Sequence, residues 1–426
     1  MNCDCWYPDR PLSIIALSCF SDVSDNMLRS CRVFPLILIA GGTIIVIQYG
    51  LLHFANKFNN PGFLRRGLPS TVKTFVFLKT HKTGSGTLTG IFSRFADNHN
   101  LEMALPMKEV SRFSWPSPFT VDEVDLSRLK NEKANVLCHH AVFGSKSEFD
   151  NVMYPGTKYL TILRDPVERF ESQFFYDKFN LLFDKRSNAN VLLSFLNARK
   201  STGWKFKNMT FEQKEILRLF TNGMLFDLTG ELLDEKQRED DIDILIKDTE
   251  NDFDLVLLTE FFDEGLVLLR QTFGWTFLDL VYKRNHVREN RHKELLTSEV
   301  RDKIIDINRG DFKLYRHFLK IFKEKVQLYG EKFSRHLNIF RSLNKEIGKQ
   351  CHYSSFVINL ENVEDLLDKF ELSSQERRIV GDLRKIPHCF CSQLHRDEVS
   401  YVKYFRNKYE PYHFVKRKQA HDEKCL

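Results

Sequence analysis

Four apolar runs restrict this chain to an alternating α/β architecture, because three of them lead into segments of helical periodicity. The runs span residues 74–80, 135–143, 158–165 and 253–260. Helical patterns follow at residues 87–99, from Pro166 onward and at residues 261–273. Runs without polar alternation are typical of parallel strands that are covered by helices on both faces. We therefore predict an α/β fold with a central parallel sheet flanked by helices, and mainly helical structure from about Asp311 onward.

The composition is that of a folded chain and does not favour nucleic-acid binding. Of the 426 residues, 42% are hydrophobic and 13% are aromatic, which excludes a disordered or collagen-like protein. The net charge of +6 arises from basic residues that are scattered rather than gathered in one block. Nucleic acid is therefore not an expected partner, whereas a mild positive charge suits a ligand that carries phosphates.

Residues 33–54 contain no Asp, Glu, Lys or Arg over 22 consecutive positions. A run of this length is sufficient to cross a bilayer as a helix. A cleavable signal peptide fits less well, because the segment before the run and the run itself are both longer than usual. We predict a transmembrane signal-anchor at residues 33–54, preceded by a tail at residues 1–32 and followed by a stem at residues 55–72.

The charges that flank this anchor leave its orientation open, since basic residues lie on both sides. Asn208-Met209-Thr210 is a glycosylation sequon, which is usable only if the C-terminal part of the chain is lumenal. Asn208 is therefore a candidate glycosylation site.

Five of the nine cysteines follow the anchor, and four of these five could pair in an oxidising lumen. Cys138 is expected to stay reduced, because it lies in a run that predicts a buried strand. We interpret Cys389-Phe390-Cys391 as a loop near a disulfide. A zinc site is less favoured, since no second Cys/His pair at ligand spacing accompanies this segment.

Residues 79–87, called here the lysine loop, read Lys-Thr-His-Lys-Thr-Gly-Ser-Gly-Thr between a predicted strand and a predicted helix. Free amides and the positive end of the helix dipole favour an anion at such a position. Gly84 and Gly86 allow close backbone approach, Lys82 supplies a charge, and Ser85 and Thr87 supply hydroxyl groups. The order Gly-Lys-Ser/Thr of a Walker A loop is absent. The segment predicts a phosphate site, with a plain strand-to-helix turn as the alternative.

Residues 164–172, called here the arginine loop, form a second candidate anion site. Asp165 and Pro166 predict the start of a helix. Arg164 stands at the carboxyl end of the preceding strand, where α/β sheets bind ligands, and Ser172 lies two turns into the helix. Arg164 and Ser172 could hold a phosphate together. Spacing alone is equally compatible with an ion pair for Arg164 and a solvent-facing Ser172.

The segments KTHKTGSGT and TILRDPVERFESQF together resemble the donor-binding pair of the Golgi carbohydrate sulfotransferases. Specifically, they resemble the galactose 3-O-sulfotransferase family, which includes the cerebroside sulfotransferases. Three further stretches agree with this family, at residues 101–106, 224–228 and 253–270. The likeness covers roughly residues 73–325. We place a P-loop-like sulfotransferase domain at residues 73–345 and a mainly helical extension at residues 346–426.

The resemblance implies transfer of a sulfuryl group from 3′-phosphoadenosine 5′-phosphosulfate (PAPS) to a galactose hydroxyl, the 3-hydroxyl in this family, on a glycolipid or glycan. It also implies a type II protein of the Golgi membrane, with a cytoplasmic tail, a lumenal catalytic domain and no metal. A homodimer is compatible with it.

The resemblance assigns roles to both loops. Lys82 would stabilise charge on the bridging oxygen, the lysine loop would bind the 5′-phosphosulfate, and the arginine loop would bind the 3′-phosphate. The donor-contacting residues that it implies are Lys82, Thr83, Gly84, Ser85, Gly86, Thr87, Arg164 and Ser172. The family loop usually continues Thr-Ala-Ser-Ser-Thr after the lysine. Gly86 departs from this pattern, because it lacks a hydroxyl but keeps the backbone N–H.

Sulfuryl transfer to a hydroxyl requires a base, and three histidines compete for this role. His81 lies inside the lysine loop. His139 and His140 end an apolar run and resemble a histidine pair of related uronosyl 2-O-sulfotransferases. A structural role is the alternative for that pair, and phosphate contact is the alternative for His81. We predict that His81 is the general base and that His140 positions the acceptor or shares the role.

Other function classes remain open at this stage. The chain could sulfate another glycan, as a uronosyl 2-O type enzyme would. A P-loop kinase or NTPase requires a Gly-Lys-Ser/Thr loop and a magnesium-binding Asp, and Asp165 is only a partial match. A non-catalytic membrane lectin is disfavoured by the charged residues of both loops. Glu260 could orient a histidine, bind the acceptor or cap the next helix, and residues 282–285 could close over a nucleotide.

Overall fold

Four parallel strands form the centre of the fold. The computed structural model describes residues 70–183, 190–202, 209–233, 238–283, 295–351 and 358–409. The strands are β1 (Phe75–Leu78), β2 (Val136–Leu137), β3 (Lys158–Leu163) and β4 (Leu255–Leu258). They are ordered β2-β1-β3-β4, and every neighbouring pair is parallel. Their carboxyl ends therefore lie at one edge of the sheet, which is where ligands bind in such folds.

Helices surround this sheet in the described part of the chain. Those up to β4 are α1 (Ser85–Asn98), α2 (Lys146–Asp150), α3 (Pro166–Tyr176), α4 (Val191–Thr202), α5 (Phe211–Ile216), α6 (Gly223–Thr229) and α7 (Glu239–Asp252). Those after β4 are α8 (Phe262–Phe273), α9 (Phe277–Leu280), α10 (Ser298–Ile307), α11 (Arg309–Tyr329), α12 (Lys332–Gln350), α13 (Leu360–Asp368), α14 (Ser374–Val380), α15 (Phe390–His395) and α16 (Glu398–Lys408). The prediction of an α/β fold with a parallel sheet and a helical region after Asp311 is confirmed.

The second strand is shorter than the run at residues 135–143 predicts. β2 pairs with β1 only at Val136 and Leu137. Beyond β2, the N–H of His140 donates to the carbonyl of Ser111 at 3.1 Å, and the N–H of Phe113 donates to the carbonyl of His140 at 2.8 Å. The residues beyond Leu137 therefore pair with this segment and not with β1, so the prediction was wrong in extent.

Aromatic side chains from neighbouring segments pack against β1. All four β1 side chains are buried. The ring centroid of Phe75 lies 5.2 Å from that of Phe92, 5.8 Å from that of Phe273 and 5.4 Å from that of Trp275. Aromatic pairs of this kind contribute roughly 0.5–1.5 kcal/mol each beyond the burial of their area. The lysine loop therefore begins from a firmly packed strand.

The helices beyond residue 358 belong to the same core and return to the sheet. A disulfide joins Cys351, at the end of α12, to Cys391 in α15. This confirms a disulfide near the Cys389–Cys391 segment. Cys138 is buried and lies outside any disulfide, as predicted. The disulfide fixes α15 and, directly after it, the start of α16.

Several predictions concern residues outside the described ranges. These are the tail, the anchor at residues 33–54, most of the stem, the sequon at Asn208 and the basic C-terminal residues. Among the helices that are described, each is too short or too polar to span a bilayer.

Candidate active site

A cleft of about 1020 Å³ opens at the carboxyl edge of the sheet and is lined by both predicted anion-binding loops. The segment around Trp115 and residues 396–399 at the start of α16 complete its walls. The predicted site residues that line it are His81, Lys82, Gly84, Ser85, Gly86, Thr87, His140, Arg164 and Ser172. The structure thus brings together residues from three separate stretches of the sequence.

The lysine loop folds around the carbonyl oxygen of Thr80. Thr83 Oγ1 and Ser85 Oγ donate to this oxygen at 3.0 and 2.8 Å. Thr83 is fully buried, so its side chain shapes the loop and does not line the cleft. Gly84 has a φ of 74°, a left-handed conformation that favours glycine, and α1 begins at the next residue. The loop therefore presents the first turn of α1, with its positive dipole end, to the cleft.

Lys82 combines an unusual backbone with a charged side chain in the cleft. Its φ is 61°, a conformation that costs a non-glycine residue on the order of 1–3 kcal/mol. Its Nζ lies 3.2 Å from the centroid of the Tyr176 ring, which is a cation–π contact. Backbone strain of this kind clusters at functional sites.

The arginine loop is bound to the lysine loop. Asp165 caps α3 by accepting hydrogen bonds from the N–H groups of Val167 and Glu168 at 3.0 and 3.1 Å, as predicted. Arg164 Nη1 donates to the carbonyl oxygen of Lys82 at 3.0 Å. Ser172 faces the same cleft from α3. The two cationic loops are therefore parts of one site and not independent turns.

His81 is held by a buried carboxylate. Its Nδ1 lies 3.0 and 2.9 Å from the two oxygens of Asp227, and its backbone N–H donates to Asp227 Oδ2 at 2.8 Å. The imidazole stacks on that of His140, with ring centroids 4.3 Å apart, and its centroid lies 4.8 Å from that of Trp115. Since a carboxylate only accepts hydrogen bonds, Nδ1 carries the proton, and Nε2 is the acceptor nitrogen of the neutral ring.

The other two histidines occupy different surroundings. His139 is fully buried, and within the described residues neither ring nitrogen has a hydrogen-bond partner. Burial lowers its pKa to about 4. His140 lines the cleft, and desolvation lowers its pKa well below the ordinary value, with the charge of Lys79 acting in the same direction. Both side chains are therefore neutral near pH 7, and only His140 can meet a ligand.

Comparison with known proteins agrees with this geometry. The profile of the galactose-3-O-sulfotransferase family matches residues 21–407. The chain belongs to the galactose-3-O-sulfotransferase family. It is 32% identical to the galactosylceramide sulfotransferase of Mus musculus over 296 residues, which are 69% of this chain and 67% of the relative.

Two further proteins to which this chain is similar are galactose-3-O-sulfotransferases. The chain is 32% identical to galactose-3-O-sulfotransferase 3 of Bos taurus over 285 residues, covering 65% of this chain and 64% of that protein. It is 29% identical to galactose-3-O-sulfotransferase 2 of Homo sapiens over 329 residues, covering 76% of this chain and 79% of that protein. The resemblance predicted from the two loops is thereby confirmed.

The cleft of this family member also contains an ion pair that the sequence motifs did not predict. Lys79, at the end of β1 and almost fully buried, donates to both carboxylate oxygens of Glu398 at 2.5 Å. A Cβ added to Gly86 would lie 2.7 Å from Glu398 Oε1. The absence of a side chain at residue 86 therefore makes room for a carboxylate that comes from α16. Neither the charge pattern nor the spacing of the sequence indicates this contact, since 319 residues separate the pair.

Asp227 was likewise missed as a functional residue. It lies in the stretch at residues 224–228 that resembles the family, but nothing in its spacing indicates contact with His81. Glu260 lines the cleft and accepts hydrogen bonds from the N–H of Asp165 at 2.9 Å and from the hydroxyl of Tyr315 at 3.0 Å. It supports the arginine loop from the side of β4.

The segment at residues 282–285 is only partly described. Tyr282 lines the cleft and donates its hydroxyl to Asp263 at 2.6 Å. Lys283 Nζ lies 3.1 Å from His395 Nδ1, and the residues that follow it lie outside the described ranges. Across the described residues, no group of three or more His, Cys, Asp or Glu side chains is arranged to hold a metal ion.

Proposed function

We propose that the protein transfers the sulfuryl group of PAPS to the 3-hydroxyl of a galactose residue on a glycolipid or glycan. The observation that carries this proposal is the placement of His81, which is fixed by Asp227 and adjoins Lys82 in the cleft that both cationic loops line. The relatives add support, because they are named for sulfation of galactose or galactosylceramide.

The proposed donor site uses both loops. The first turn of α1 and Lys82 bind the 5′-phosphosulfate, since free amides and an ammonium group favour an anion. Arg164 and Ser172 bind the 3′-phosphate, because the planar guanidinium matches phosphate geometry. The hydrogen bond from Arg164 to the carbonyl of Lys82 keeps the two anion sites at a constant separation.

The proposed chemistry is an in-line transfer. His81 removes the proton of the acceptor hydroxyl through Nε2 while the hydroxyl oxygen attacks sulfur. The bond between sulfur and the bridging oxygen breaks, and Lys82 stabilises the negative charge that develops on this oxygen. The products are a sulfate ester and adenosine 3′,5′-bisphosphate, and the proton on His81 then passes to solvent. A positioned base contributes roughly 10²–10⁴-fold, and one electrostatic donor contributes roughly 10²–10³-fold.

His140 is proposed to position the acceptor and not to act as the main base. Its lowered pKa makes it a weak proton acceptor. It stacks on His81, so a sugar hydroxyl bound at the cleft-facing edge of the His140 ring would lie beside His81.

The proposed location is the Golgi lumen, with residues 33–54 as the anchor of a type II membrane protein. The disulfide between Cys351 and Cys391 supports an oxidising compartment. Glycosylation at Asn208 would follow from the same orientation.

The test is a transfer assay with radiolabelled PAPS. The acceptors are galactosylceramide and a glycan with terminal galactose, each paired with its glucose-terminated counterpart and compared with an iduronate-containing glycan. We expect label on the galactose acceptors, at the 3-hydroxyl when the product is mapped. Label on the uronic acid alone would overturn galactose as the acceptor.

Two variants test the machinery. His81→Ala and Lys82→Ala are each expected to lower kcat by roughly 100-fold or more, whereas His99→Ala and Lys73→Ala, outside the cleft, are the matched controls. Adenosine 3′,5′-bisphosphate should raise the melting temperature without magnesium. Stabilisation by ATP with magnesium alone would instead point to a kinase and contradict the proposal.

A further inference from the structure

Asp227 is a buried carboxylate beside the cleft, and its contacts converge on His81. Its side chain is 1% exposed. It receives the Nδ1–H and the backbone N–H of His81, and a third, longer hydrogen bond comes from Trp115 Nε1 at 3.4 Å. Two of the three donors thus belong to a single residue, so the carboxylate fixes both the main chain and the ring of His81.

The helix that carries Asp227 is itself anchored by buried charge. Asp311 accepts hydrogen bonds from the N–H groups of Met224 and Leu225 at 3.0 and 2.9 Å, which caps the start of α6. The fully buried guanidinium of Arg169, on α3, lies 3.8 Å from Asp311. The position of Asp227 is therefore set by α3, the helix that follows Arg164, and by α11. Helix α6 is held at its first turn, so its carboxylate is preorganised before any substrate arrives.

We propose that Asp227 is the positioning residue of the sulfuryl-transfer reaction and acts through His81. It keeps the proton on Nδ1, which makes Nε2 the basic nitrogen, and it stabilises the imidazolium that forms when His81 accepts the hydroxyl proton. This inference rests on the proposed function. The role requires a negative charge, because an uncharged hydrogen-bond acceptor can hold the ring but cannot compensate the positive charge that develops on it.

A purely structural role for Asp227 makes different predictions. In that case, its loss would disturb the lysine loop and weaken donor binding, since the backbone N–H that it accepts lies beside Lys82. A role through His81 would lower kcat and leave both KM values and the affinity for adenosine 3′,5′-bisphosphate close to those of the wild type. The KM-against-kcat split therefore separates the two roles.

The experiment compares Asp227→Asn with the wild type and with two further variants. We expect Asp227→Asn to lower kcat by roughly 10²–10⁴-fold with donor and acceptor KM values within about threefold. Asp227→Glu keeps the carboxylate, so its kcat should exceed that of Asp227→Asn by at least about tenfold. Asp279→Asn is the matched control, because Asp279 also contacts a histidine, His99, at 3.2 Å but lies outside the cleft, and its expected change in kcat is less than about fivefold. A loss in Asp279→Asn equal to that in Asp227→Asn would overturn the role through His81.

A double variant decides whether Asp227 acts through His81. In the His81→Ala background, Asp227→Asn should lower the residual rate by less than about threefold, because the residue through which it acts is gone. Equal losses in both backgrounds, or a loss expressed in KM or in the bisphosphate affinity, would overturn the inference. Failure of the proposed function would appear elsewhere, as absence of transfer by the wild type. Failure of the base assignment would appear as an active His81→Ala enzyme.

Discussion

The two halves of the cleft are built in different ways. The proposed donor half consists of Lys82, the first turn of α1 and the arginine loop, which lie in continuous stretches that follow strands of the sheet. The proposed catalytic half gathers single side chains from distant elements around the end of β1: 146 residues separate His81 from Asp227, and 319 separate Lys79 from Glu398. The donor half relies on backbone geometry at a sheet edge, whereas the catalytic half relies on side chains that only the complete fold brings together.

This difference explains which parts of the site can be recognised in a sequence. A phosphate-binding loop requires glycines, a cation and a helix start within a few residues, so its chemistry is visible as local spacing. A carboxylate that orients a histidine requires only one acidic residue at one point in space. The following experiments test whether the two halves also differ in the interactions that stabilise them.

The largest expected effect is loss of the disulfide that ties α15 and the start of α16 to α12. Cys351→Ser with Cys391→Ser removes a link across 40 residues, which the chain-entropy relation values at about 4 kcal/mol of unfolding free energy. Guanidinium denaturation under non-reducing conditions measures it. Cys389→Ser leaves the disulfide intact and should change the stability by less than about 1 kcal/mol. Equal stability of the double variant and the wild type would show that the C-terminal wall is held by packing alone.

The next effect concerns the donor half. Arg164→Ala removes a guanidinium that both faces the cleft and donates to Lys82, so the affinity for adenosine 3′,5′-bisphosphate should fall by roughly 100-fold, or about 3 kcal/mol. Calorimetric titration measures this affinity. Arg164→Lys keeps the charge without the planar fork and should recover only part of it. Full affinity in Arg164→Ala would separate the arginine loop from donor binding.

A smaller effect is the contribution of buried His139 to the pH dependence of stability. Burial lowers the pKa of His139 to about 4. As the pH falls below the ordinary value of about 6.5, His139 is therefore protonated in the unfolded chain before it is protonated in the folded protein. Stability from this group is therefore complete above that pH and is lost toward pH 4. Between pH 7.5 and pH 5 the loss amounts to about 2 kcal/mol.

His139→Phe should remove this contribution to the pH dependence of the unfolding free energy. Urea denaturation at pH 7.5 and at pH 5 measures it. His140 and His336 also have lowered pKa values, so a slope remains in the variant. An unchanged slope would show that His139 is not a source of acid sensitivity.

The smallest effect lies where the two halves touch. Gly86→Ala places a Cβ against Glu398 Oε1, which is the end of a flexible side chain, so the expected cost in bisphosphate affinity is only about 1 kcal/mol. In the Glu398→Ala background the same substitution should cost almost nothing. A double-mutant cycle measures this coupling, and an equal cost in both backgrounds would show that Glu398 and Gly86 act independently.

Much of the donor half followed from local chemistry. Asp165 caps α3 and Pro166 begins it, because both residues suit a helix start whatever surrounds them. The side chain of Thr83 did not follow: the family resemblance implies that Thr83 contacts the donor, but the loop turns its hydroxyl inward to the carbonyl of Thr80. The direction of a side chain on a tight turn depends on φ and ψ at its neighbours, and the φ of 61° at Lys82 is not a conformation that a lysine predicts.

The catalytic half was predictable only in its central residue. His81 stands inside a recognisable loop, whereas Asp227 and Glu398 depend on where α6 and α16 come to rest. The extent of β2 was wrongly predicted for a similar reason, since the residues beyond Leu137 pair with a segment near Ser111 and not with β1. Such outcomes are set by packing between elements that are far apart in sequence, and apolar periodicity contains no information about them.

The ion pair between Lys79 and Glu398 has a consequence for biosynthesis. Both cationic loops leave the ribosome more than two hundred residues before Glu398 does. A nascent chain that ends before α16 contains all four strands and both loops but lacks the carboxylate partner of Lys79 and one wall of the cleft. Donor binding should mature late, after α16 has docked and Cys391 has been oxidised, which makes the final assembly step dependent on the redox state of the compartment where the chain folds.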